Sequence, residues 1–224
     1  MAEKKSFNIN RILELVEGNT ERQKELRLAL DSVKKHMDHC WYHHHEFEKA
    51  VSLHEAAFHK NLPDGTEVII PEYYRCSFEA NSFAFFRALH AVIDSLPFIL
   101  YLLDGELDYT TRVEWRKAKK SLKDIGAKEL SDRLIAFTGK VTYTELNNLV
   151  NTTKHRRLPK IDSRIFSING IPEFVKEDLD FELMEYSISK LMKNYHHEII
   201  EVFLVEFISD LGVHLTLRQA KVDL

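Results

Sequence analysis

The chain has 224 residues, 44% of them hydrophobic, enough for one large domain with a substantial core. Its net charge of −4 hides a segregation: residues 1–111 hold 12 Lys and Arg against 18 Asp and Glu, residues 112–164 hold 14 against 6, and residues 165–224 hold 5 against 11. Seven Gly, five Pro and two Cys without metal-ligand spacing exclude a disulfide scaffold and a low-complexity chain. The polar start of residues 1–7 argues against a secretion signal, so a cytoplasmic protein is expected.

In chain order, Ile9, Ile12, Leu13 and Val16 mark a short amphipathic helix ending near Gly18. Thr20 and Gln23 then form a capping box for a long second helix. Along it Leu26, Leu30, Val33, Met37, Cys40, His44, Phe47, Val51, His54 and Phe58 alternate in steps of four and three, a coiled-coil-like seam. Residues 61–75 read as a loop, with Pro63, Asp64, Gly65 and Pro71 around the apolar run Val68, Ile69, Ile70. Ser77 is placed to cap a buried third helix that kinks at Pro97 and reaches Leu103. Residues 83–103 are long enough for a membrane span, but Arg87, His90, Asp94 and Pro97 inside them favour a buried helix and no membrane.

Residues 112–123 and 128–137 read as two helices broken at Gly126 and stopped by Gly139. Thr142 and Glu145 make a second capping box for a helix from Tyr143 to about Arg157, with Pro159 beyond it. Asn169 and Gly170 predict a type I′ hairpin over about 163–175, with Pro172 confining its strand to an edge. Asp178 or Asp180 opens a last helix that Gly212 closes. The sum is an all-α bundle of long antiparallel helices with one small β-hairpin, a single helical domain over 1–224.

Three constellations carry chemistry. Arg87, His90 and Asp94, three and four apart, form an ionisable stripe on an apolar helix; it either supplies a general acid or base beside an anion-binding guanidinium, or fixes helix register. Asn147, Asn151, Lys154, His155, Arg156 and Arg157 crowd the fifth major helix and its C-terminus, followed by Lys160 and Arg164. Cations there complement the helix dipole, whereas the interior Asn and the Asn-x-x-x-His pattern suit a phosphate-bearing ligand. His36, His39, His43 and Glu46 share a stripe, near His44, His45, His54 and His59, but without Cys partners or H-E-x-x-H they do not specify a metal site. No Gly-rich phosphate loop or G-x-S-x-G elbow is present.

With long helices, Arg87-Ala88-Leu89-His90 on an apolar one and Asn151-Thr152-Thr153-Lys154-His155 before a loop, residues 20–212 resemble the HEPN-like group of all-helical bacterial proteins. That resemblance implies a homodimer and metal-independent RNA cleavage in a toxin or phage-defence setting. The group's signature separates Arg from His by four to six residues, and two separate Arg87 from His90. The expectation is an RNA-binding protein. Where it cleaves, His90 or His155 is the acid or base with Arg87 and Asp94, and Asn147, Asn151, Lys154, Arg156 and Arg157 bind substrate, with no metal or cofactor. The rivals are a non-catalytic interaction or antitoxin-type scaffold that docks a protein partner, and a bundle binding a small anionic ligand.

Overall fold

A computed structural model describes residues 9–14, 20–60, 72–104, 113–163 and 171–222. Among these the fold is all-α with a two-stranded antiparallel ladder. The helices are α1 (Ile9–Glu14), α2 (Thr20–Lys60), α3 (Glu72–Asp94), α4 (Leu96–Asp104), α5 (Trp115–Asp124), α6 (Lys128–Thr138), α7 (Val141–His155), α8 (Ile188–His196) and α9 (Val205–Val222). The strands are β1 (Ile161–Asp162) and β2 (Glu173–Phe174), and a π-helical stretch, His197–Leu204, joins α8 to α9. Val16, Gly18, residues 61–71, Gly105, Arg164, Asn169 and Gly170 lie outside the described residues, while residues 72–75, expected to end the 61–75 loop, form the first turn of α3.

The chain packs as two compact units: Met1–His36, Ala91–Tyr143 and His197–Leu224 form one, Met37–His90 and Thr144–His196 the other. The α2 seam supplies both cores. Leu26, Leu30 and Val33 are buried in the first unit; Cys40, Phe47 and His54 are buried in the second.

In the first unit α4 packs on α5, α5 on α6, and α9 on α1, α6 and the π-helical stretch. Phe137 of α6 stacks on Phe203 at 3.6 Å between centroids. The α5–α6 connection is a Schellman turn: Gly126 N–H donates to Lys123 O (2.9 Å), Ala127 N–H to Leu122 O (2.7 Å), and Gly126 takes φ +81°. Gly126 and Gly139 stop helices as their sequence positions suggest. Pro97, which brings no N–H to the ladder, follows the α3–α4 break at Ser95.

In the second unit an aromatic cluster fills the core: Phe86 meets Phe85, Phe174 and Tyr195, and Phe47 meets Phe78. Cys40 is buried here, and its thiol, pushed up to about 12 by burial, donates to Phe85 O at 4.0 Å. Cys76, on α3, is exposed, and neither cysteine is in a disulfide.

Several local signals end up elsewhere. Ser77 lies inside α3, its carbonyl accepting Asn81 Nδ2–H at 2.8 Å, because nothing between 72 and 77 interrupts a helix. Thr142 and Glu145 lie within α7 and do not box it: Thr142 Oγ1–H donates to Glu198 Oε2 (2.7 Å), and Glu145 accepts Met184 N–H (2.6 Å) and Tyr195 O–H (2.7 Å). The ladder pairs Ile161 with Phe174, so its first strand precedes the expected 163, and a bridge from Glu173 to Ser187 covers the other side of β2. The last helix starts at Ile188, since Asp178 and Asp180 are held by cations of the chain after α7, and it continues through Gly212 to Val222. Residues 73–103 pass a length and hydropathy test for a membrane span, with 61% of the most apolar window buried inside the protein, as in a core helix.

Candidate functional site

The ionisable stripe of α3 does meet α7. Arg87 Nη2–H donates to Thr153 O at 2.8 Å and its Nε–H to Thr153 Oγ1 at 3.4 Å. Thr153 belongs to the last turn of α7, where carbonyls have no partner within the helix, so Arg87 caps that end. His90 is buried (5% exposed), and its Nε2–H donates to Asn147 Oδ1 at 3.2 Å. Asp94 is exposed in the other unit, where its charge helps raise the Tyr143 hydroxyl; burial is the larger cause, and a hydrogen bond from Trp115 opposes both. The structure thus brings Arg87, His90 and Asn147 together in contacts that join helices.

The two arginines after α7 are matched by carboxylates. Arg156 Nη1–H donates to Asp180 Oδ2 (2.6 Å), and Arg157 Nη2–H donates to Asp178 O (2.8 Å), within 3.7 Å of Asp178 Oδ1 and 3.6 Å of Asp180 Oδ1. The backbone N–H of Lys160 donates to Asp178 Oδ2 at 2.7 Å. Two guanidiniums face two carboxylates and their charges cancel; such exposed pairs add at most about 1 kcal/mol each. Asn151, Lys154 and His155 remain exposed at the end of α7.

Helix α5 differs. Of its ten residues WRKAKKSLKD five are basic and one is acidic; Ala118, Ser121 and Leu122 are buried, which turns the cations outward. Arg116, Lys120 and Lys123, four and three apart, share the exposed face and make no ion pair among the described residues. Lys119, half-buried, donates to Thr138 Oγ1 at 3.3 Å. At the start of the helix Trp115 meets Tyr143 at 6.2 Å and 88°, and Tyr143 leans on Phe137 at 5.7 Å.

Along the histidine stripe of α2 the rings of His39 and His43 meet edge to face, 6.4 Å between centroids. His43 shares a 2.9 Å hydrogen bond between Nδ1 and Asn81 Oδ1, and His44 lies 3.5 Å from Glu48. Among the described residues no three His, Cys, Asp or Glu form a group that could hold a metal ion. Burial holds the His44 imidazole below its ordinary value against the pull of Glu48. Burial raises Glu48 too, but hydrogen bonds from Ser189 and Lys193 outweigh it and leave that carboxyl below the carboxylate range. A cleft of about 570 Å³ beside α6 and α9 is lined by Lys128, Arg133, Asp210 and His214, and Arg133 is paired with Asp210 and Glu206.

Comparison of the chain with family models, curated proteins and solved structures finds no match. The likeness to HEPN-like proteins therefore rests on the sequence pattern. The α5 stripe was visible in the spacing of Arg116, Lys120 and Lys123, but as part of a broad basic stretch it did not stand out from Arg156 and Arg157.

Proposed function

We propose that the protein binds RNA through its phosphate backbone, with α5 as the contacting element. One observation carries this reading: Arg116, Lys120 and Lys123 project from a single helix face with no carboxylate pairing them among the described residues. Lys and Arg that replace counterions on phosphates give an affinity that falls steeply with salt, each contact adding about 0.7 to the log–log slope for a single strand. Cleavage forms no part of the proposal, because Arg87 and His90 have partners that explain them as ties between α3 and α7.

The test is a salt series of RNA binding by the protein and by the R116Q/K120Q/K123Q variant. The expected slope decreases by roughly 2 in the variant. Undetectable binding of RNA at low salt, or a slope unchanged by the three substitutions, overturns the proposal.

A further inference from the structure

We infer that the RNA bound along α5 is unpaired, with a nucleobase stacking on the aromatic pair Trp115 and Tyr143; this rests on the RNA-binding reading above. Trp115 and Tyr143 are each half-buried at the edge of the cationic face. At 100° per residue Lys123, Arg116 and Lys120 lie about 80°, 100° and 140° around the helix from Trp115, with Lys119 about 40° away between them, so a strand that wraps the helix can reach both ring and charges. The two rings meet at 88° with centroids 6.2 Å apart, so neither stacks over the other's face. Behind them Tyr143 rests on Phe137, which stacks on Phe203 at 3.6 Å, and this backing holds the pair in place.

A duplex hides its base faces in its own stack. An unpaired strand exposes them, and proteins that grip such strands pair a cationic track with an aromatic platform. Partly exposed aromatic rings beside three unpaired cations match that chemistry. Nothing in a phosphate-only contact needs them.

Trp41→Phe leaves Trp115 as the sole tryptophan, and Trp41, on exposed α2 surface, belongs to neither cluster. This variant is titrated with an unpaired oligouridine 12-mer and with a 12-base-pair RNA duplex while Trp115 emission is followed. The expected result is quenching by the single strand and none by the duplex. In the wild-type background Trp115→Ala is expected to weaken single-strand binding about tenfold, with Trp115→Phe close to the native affinity. Salt-dependent binding that requires Arg116, Lys120 and Lys123 but favours the duplex, or leaves Trp115 emission unchanged, overturns this inference and leaves the RNA-binding reading standing. Loss of salt-dependent binding to both RNAs overturns the reading itself. Should Trp115→Ala fail to fold, the Trp41→Phe titration and Trp115→Phe still decide.

Discussion

Helix α5 and the segment that follows α7 are both basic, yet their cations meet different surroundings. After α7, Arg156 and Arg157 face Asp178 and Asp180, carboxylates more than twenty residues along the chain, and these four charges cancel. On α5, Arg116, Lys120 and Lys123 face solvent. A cluster of positive residues is available to a phosphate only where the fold brings no acid to it. Net charge over a stretch of sequence does not decide this, because the neutralising partner comes from elsewhere in the chain.

The largest effect that could break this contrast is on binding. R116Q/K120Q/K123Q is expected to lower RNA affinity roughly 50-fold at 0.15 M salt, whereas R156Q/R157Q leaves it within about twofold; equal losses would erase the distinction. Next comes the α3–α7 junction. His90→Ala removes a buried ring and strands Asn147, with an expected cost of about 2 kcal/mol, or roughly 5 °C of melting temperature, and no change in RNA affinity. A fall in affinity without a fall in melting temperature would return His90 to a binding or catalytic role.

Asp178→Asn with Asp180→Asn sharpens the comparison from the other side. Freed of their carboxylates, Arg156 and Arg157 should become a second phosphate contact and raise RNA affinity, by up to about tenfold. A filter-binding assay on the double variant decides it. The smallest effect is acid sensitivity. His44 is depressed in the folded state, so protonation favours the unfolded chain as pH falls below about 6.5. Glu48, also depressed, contributes stability that is present above the usual glutamate range and lost as pH falls through it. Melting temperature should therefore decline from pH 7 towards 4, less so in His44→Gln.

Features that depend on one helix face were legible in the sequence. The α2 seam, the stops at Gly126 and Gly139 and the break near Pro97 follow from periodicity and backbone chemistry alone. Features whose polar groups are satisfied at long range were not. Asp178 and Asp180 have the composition of helix N-caps, yet their oxygens accept from Arg157, Lys160 and Arg156. Thr142 and Glu145 have the spacing of a capping box, yet bond to Glu198, Met184 and Tyr195. Gly212 has the position of a stop, but nothing there turns the backbone and α9 passes through it. The candidate site divides in the same way: the stripe of Arg87 and His90 was readable as a polar line on an apolar helix, but its partners Thr153 and Asn147 lie 66 and 57 residues away, beyond any local pattern.

The two thiols offer a practical opening. Cys40 is withdrawn into the aromatic core with its thiol almost wholly protonated at neutral pH, while Cys76 faces water. A maleimide dye or spin label added to the native sequence should attach at position 76 alone, giving spectroscopists a single reporter on α3 without mutagenesis.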